Sequence, residues 1–158
     1  MIVLDTCVLI FDALAPDKLS SKALRTLENG EKQDILACSD ISLWEISMLI
    51  KKKRLDPGTD TISFINLALS ARKINVMPIT PEIAYISSSH KAFVHHDPAD
   101  RLIAATTLHY KGALITCDGL LRNIKGLHTI WCDELKESAH GKAWMASGRK
   151  IMYEKLTS

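Results

Sequence analysis

The chain has 158 residues, 47% of them hydrophobic and 24% charged, with a formal net charge of +2. That composition suits one globular domain with a sizeable core, and the near-balance of charge neither demands nor excludes a nucleic-acid partner. No apolar run approaches the roughly 18–20 residues that cross a bilayer. The opening "MIVLDTCVLIFDALAP" carries Asp5 and Asp12 and lacks a basic leader, so no signal peptide or membrane contact is expected and the expected location is the cytoplasm. Cys7, Cys38, Cys117 and Cys132 are widely spaced; without a C-x-x-C pair, a zinc site is not expected and reduced, buried thiols are.

In chain order, "MIVLD" (1–5) reads as a strand. "SKALRTLENG" follows as a helix, with Asn29-Gly30 as its expected stop. "DILACS" (34–39) is a second strand, and "DISLWEISMLIKKKRL" a helix that turns basic before Asp56-Pro57-Gly58. "DTISFINLALSARK" has helical spacing, "INVMPI" (74–79) is a third strand, and "PEIAYISSSHKAF" is a helix with Pro81 at its first position. "PADRLIAATTLHYKG" is a helix running to Gly112, and "ALITC" (113–117) and "LHTIW" (127–131) are the last two strands. The strands are nearly continuous apolar runs, as expected where helices bury both faces of a parallel sheet. Alternation of strand and helix predicts a three-layer α/β/α domain over residues 1–133, with residues 134–158 as a helical extension or tail.

Acids collect where such a fold forms its sites, beyond the carboxyl ends of the strands. Asp5 ends the first strand, Asp40 and Glu45 follow the second, Asp118 follows the fourth and Asp133 the fifth. Asp100 begins the helix that leads into the fourth strand, so it lies at the same edge. Clustered carboxylates repel by roughly 4 kcal/mol per pair at about 4 Å and an effective dielectric near 20. A hard divalent cation resolves that cost, because Mg²⁺ and Mn²⁺ prefer oxygen ligands. Each acid also has a structural reading. Asp5 can cap the next helix, Ser42 and Glu45 have capping-box spacing with Ile41 and Ile46 as its staple, although Asp40 or Ser39 can cap that helix instead, and Asp118-Gly119 can be a plain turn.

Four segments resemble the motifs of PIN-domain ribonucleases of the VapC toxin type. "MIVLDTCVLI" resembles the opening strand, "SDISLWEISMLIKKKRL" the second motif with Glu45, "DPADRLIAATTL" the third with Asp100, and "ALITCDGLL" the fourth with Thr116 and Asp118. The resemblance implies a parallel sheet of four or five strands and a pocket in which Asp5, Glu45, Asp100 and Asp118 hold one or two Mg²⁺ or Mn²⁺ ions. It implies metal-dependent cleavage of RNA, commonly tRNA or ribosomal RNA, an antitoxin of the VapB type that blocks the pocket, and a homodimer. The chain departs from the pattern after "TIWCDE", where many relatives stop and this one continues to residue 158.

On that reading Thr6 and Thr116 orient the carboxylates or water, although either can be an ordinary strand-end threonine, and Arg101 pairs with a nearby acid. Asp97, ahead of Pro98, is the expected N-cap of its helix. Lys51, Lys52, Lys53 and Arg54 favour a helix C-terminus and can also meet phosphate. His95 and His96 are expected in an exposed loop, Trp44 and Trp131 in the core. Competing readings are weaker. A haloacid-dehalogenase-type phosphatase wants an aspartate where Cys7 stands, and no Gly-rich phosphate loop is present. The non-enzymatic alternative is a PIN-like module that only binds RNA or protein.

Overall fold

Five short strands, β1 (Ile2–Leu4), β2 (Leu36–Ser39), β3 (Asn75–Met77), β4 (Ala113–Ile115) and β5 (Thr129–Ile130), form one sheet in the order β3-β2-β1-β4-β5, every pairing parallel. The structure is a computed structural model that describes residues 1–93 and 97–131. His95, His96, Cys132, Asp133 and the expected extension over 134–158 lie outside the described residues. Helices α1 (Thr6–Leu14), α2 (Ser21–Lys32), α3 (Ile41–Lys51), α4 (Thr61–Ala71), α5 (Pro81–Ser89), α6 (Pro98–His109) and α7 (Gly119–Arg122) fill the connections. None of the helices among the described residues is long and apolar enough to cross a membrane.

Two buried clusters show the three layers. Successive strand residues point to opposite faces. Leu4 and Ile115, register partners in β1 and β4, join α1, α2 and α4 residues such as Phe11, Leu27 and Phe64. Val3 and Leu114, the preceding pair, join Ile83 of α5, Ile103 of α6 and Leu121 of α7. The expectation of strands buried on both faces holds for β2, where every residue is buried, and fails at β3, whose Asn75 and Val76 are exposed. A strand at the sheet edge is covered on fewer sides than one at its centre.

The helix boundaries differ from the sequence reading in several places; α6, for one, ends at His109, short of the expected Gly112. Helix α2 does not stop at Asn29-Gly30 but runs to Lys32. Gly30 is there for space, since a Cβ on it would meet Leu36 Cδ2 at 2.4 Å. Helix α3 ends at Lys51, leaving Lys52–Arg54 beyond it. Helix α5 ends at Ser89 and is followed by a separate 3-10 turn over Lys91–Phe93. Ser87 donates to the Ala84 carbonyl at 2.7 Å, and Ser88 and Ser89 to that of Tyr85 at 3.0 and 2.7 Å, local bonds that compete with helix continuation. The real stops are left-handed residues that are not glycine. Asp34, Lys53, Lys73 and Lys111 have φ of 50–56° after α2, α3, α4 and α6. In each case the next N–H reaches back to close the turn, as from Arg54 to Leu49 O at 2.9 Å and from Ile74 to Leu69 O at 2.9 Å.

The strand order fixes where a site can form. The chain lays β2 and β3 on one side of β1, then returns to place β4 on the other. The crevice at such a switch point opens between the carboxyl ends of β1 and β4. Asp5 leaves β1 there, and Thr116 and Asp118 leave β4.

Candidate active site

Asp5 is fully buried between the end of β1 and the first turn of α1. A buried carboxylate is costly unless hydrogen-bonded. Its Oδ1 accepts from the Thr6 N–H at 2.7 Å, and its Oδ2 accepts from the Thr116 hydroxyl at 2.7 Å and the Cys7 thiol at 3.3 Å. Asp5 is thus the N-cap of α1 and also a side chain anchored from β4. The capping reading of Asp5 holds.

Thr116 does more than end a strand. Its hydroxyl donates to Asp5 and accepts from the Asp118 N–H at 3.0 Å, so one oxygen sets the spacing of two acids. Asp118 in turn caps α7, Oδ1 accepting from the N–H groups of Leu120 at 2.7 Å and Leu121 at 3.3 Å. At four residues, α7 is too short to give a periodic signal, and the sequence showed only a turn there.

On the other side of Asp5, Thr6 links α1 to α3. Its oxygen lies 2.5 Å from Glu45 Oε1 and 2.9 Å from Ser42 Oγ. A hydroxyl carries one proton. Glu45 can only accept, so Thr6 donates to Glu45 and accepts from Ser42, giving a directed relay Ser42→Thr6→Glu45. The capping-box reading of Ser42 and Glu45 is therefore corrected. The N-cap of α3 is Asp40, which makes no side-chain cap bond, and Ser42 sits inside the helix. Ser42 is the site residue that sequence reasoning missed. Its signal was the three-residue offset from Glu45, which puts both on one helix face. Asp40 belongs elsewhere, its Oδ2 accepting from the Ile79 N–H at 3.1 Å beside β3.

Asp97 takes the capping role expected of it, and Asp100 does not share that role. Asp97 is exposed and caps α6, accepting from the Asp100 N–H at 2.9 Å, an interaction worth about 1 kcal/mol. Asp100 is 5% exposed in the first turn. Because α6 runs back to the start of β4, that turn lies at the carboxyl end of the sheet. Arg101 is half-buried beside it.

Trp44 is 58% exposed on α3, contrary to the expectation of a core residue, while Trp131 packs half-buried on the core. Trp44 adjoins Glu45 and faces away from the helix side that packs Ile46. Lys51, Lys52 and Lys53 are exposed and Arg54 half-buried. Lys51 lies six residues past Glu45, about 9 Å along the helix axis.

The donors suit a hard cation, being carboxylate oxygens oriented by hydroxyls and N–H groups. The adjacent thiol of Cys7 is pushed well up by burial first, then by its contact with Cys117 and the Asp5 charge. Among the described residues no three His, Cys, Asp or Glu side chains are already drawn into a ligand shell. Asp5, Glu45 and Asp118 are each held by hydrogen bonds of their own.

Residues 2–127 match the family model of the PIN domain. The chain is 29% identical over 132 residues to ribonuclease VapC22 of Mycobacterium tuberculosis (strain ATCC 25618 / H37Rv), covering 82% of this chain and 98% of that protein. Its fold is similar to that in the crystal structure of VapBC2 from Rickettsia felis bound to a DNA fragment from their promoter, with a TM-score of 0.63 and 18% identity over 82% of this chain and 97% of that one.

Proposed function

The chain belongs to the PIN-domain family, and from that premise we propose that it is a divalent-metal-dependent endoribonuclease, the toxin of a toxin–antitoxin pair. One observation carries the proposal: hydrogen bonds join Asp5, Thr116 and Asp118 across the β1–β4 crevice, and Thr6 extends the set to Glu45. A purely structural role would not require acids from residues 5, 45 and 118 to be oriented at one opening. The similarity to VapC22 over nearly its whole length supports RNA as the substrate, and the VapBC2 complex supports an antitoxin of the VapB type.

In this reading Asp5, Glu45, Asp100 and Asp118 hold one or two Mg²⁺ or Mn²⁺ ions. A metal held there would supply a Lewis acid toward the phosphate and toward water near neutral pH. The chain's own part is orientation. Thr116 and the Thr6 N–H hold the Asp5 carboxylate, the Ser42–Thr6 relay aims Glu45, and the α7 cap keeps one Asp118 oxygen engaged. Exposed Trp44 offers a ring for base stacking, and Lys51, Lys52, Lys53 and Arg54 offer charge for the backbone, giving salt-dependent binding. Such a protein acts in the cytoplasm, as a homodimer in the family pattern, on tRNA or ribosomal RNA.

The test pairs two aspartates one helical turn apart. Asp100→Asn abolishes Mn²⁺-dependent RNA cleavage, while Asp97→Asn, still a good cap, retains it. Undiminished cleavage by folded Asp100→Asn overturns the assignment. A protein that only binds RNA or protein is separated by melting temperature, since a carboxylate site is stabilised by added Mn²⁺ and a mere docking module is not.

A further inference from the structure

Two thiols lie beside the acids with no part in the proposed chemistry. The Sγ atoms of Cys7 and Cys117 are 3.3 Å apart, and both cysteines are free. One stands in the first turn of α1, the other between Thr116 and Asp118 just beyond β4. Bond formation needs the sulfurs to close to about 2.05 Å, a movement of roughly an ångström between two segments already tied at Asp5 N and Ile115 O, 3.0 Å apart. Cys7 is 2% exposed, whereas Cys117 is half-buried. Cys38 is fully buried in β2 and is not among the contacts of this pair.

We propose that Cys7 and Cys117 are a reversible oxidation site, whose disulfide disables the acidic crevice. A small peroxide such as hydrogen peroxide is the oxidant. The Cys117 sulfur attacks one peroxide oxygen, the O–O bond breaks, and a sulfenic acid and one water result. The Cys7 sulfur then attacks the Cys117 sulfur. Hydroxide leaves, takes the Cys7 proton and departs as the second water. Two thiols lose two electrons and the peroxide gains them. In a reducing compartment thiols reverse the bond by exchange.

The consequence for the crevice follows from the hydrogen bonds. The disulfide removes the thiol proton that Cys7 gives Asp5 Oδ2. It also pulls the segment holding Thr116 and Asp118 toward α1, altering the distances that the Thr116 hydroxyl sets. Disturbing the groups behind metal ligands costs roughly 10–100-fold in metal affinity. This second half of the proposal rests on the metal-nuclease reading; the cross-link itself does not.

The experiment treats the full chain with hydrogen peroxide, quenches, alkylates remaining thiols and maps peptides without reduction. A Cys7 peptide joined to a Cys117 peptide, lost on adding dithiothreitol, is the expected result. Both cysteines recovered alkylated in a folded chain, or joined instead to Cys38 or Cys132, overturn the site. In parallel, the Mn²⁺ concentration needed for half-maximal thermal stabilisation rises about tenfold on oxidation and recovers with dithiothreitol. Cys117→Ser, with Cys117→Ala as a second variant, keeps its Mn²⁺ response through peroxide. A disulfide that leaves the Mn²⁺ response and cleavage intact overturns the disabling role. A reduced chain with no Mn²⁺ response counts against the nuclease reading, and the peptide map still decides the cross-link.

Discussion

Helix α1 carries an acid knot near each end, and the two are built differently. Near its C-terminus, Asp12 accepts from Arg72 Nε at 2.6 Å, and the same guanidinium reaches Glu31 at 3.1 Å. Arg72 is held charged by the Asp12 hydrogen bond above all, against a smaller desolvation cost. That knot sets one cation against two acids and ties α1, α2 and α4. At the N-terminus, Asp5 and Glu45 are met by hydroxyls, a thiol and an N–H. A hydroxyl orients a carboxylate by donating its one proton to one of the oxygens. The first arrangement holds helices together; the second keeps acids aimed.

Breaking the two knots should therefore damage different properties. Asp5→Asn keeps an N-cap and the fold but lowers RNA cleavage by more than the roughly 10–100-fold seen when groups behind a metal site are lost. Cleavage rates at saturating Mn²⁺ and a melting curve check this, and normal cleavage would put Asp5 in the structural class with Asp12. Arg72→Met does the reverse. It leaves the Asp12 carboxylate, 10% exposed, without its arginine, and lowers stability in urea by about 2–3 kcal/mol, less than the roughly 3–5 of a fully buried pair. Cleavage per folded molecule is unchanged. Thr116→Val, matched in shape, removes the hydroxyl shared by Asp5 and Asp118. The expected cost is about 1–2 kcal/mol of stability and a tenfold weaker Mn²⁺ response, read in one thermal titration.

The smallest effect concerns a thiol outside both knots. Burial, and then the Asp40 charge, push the Cys38 thiol from 9.0 up to about 12. Its folded value lies above its unfolded one, so its contribution to stability is full below pH 9 and is lost as pH rises toward 12. Cys38→Ala should flatten that part of the alkaline unfolding profile, and alkylation of Cys38 at pH 8 should wait for unfolding.

The strands, their parallel class and the acids beyond them were legible because apolar runs and strand ends are local signals. What escaped depended on distant neighbours. Gly30 looks like a helix stop until Leu36 is seen against it. Ser42 and Glu45 look like a cap until Thr6 of another helix is seen between them. Trp44 looks like core because its size suggests burial, yet α3 turns it outward. Four helix stops use Asp or Lys in the left-handed region, where sequence reading waits for glycine.

The order of the sheet also has a consequence in time. Strand β4 sits beside β1 although more than a hundred residues of chain separate their ends. During synthesis, β1, β2 and β3 emerge first, and Asp5 has no Thr116 to hold it. The crevice closes its second wall only when residues 113–118 have left the ribosome and docked. A chain still being made therefore lacks one wall of the crevice until residues 113–118 have docked against β1.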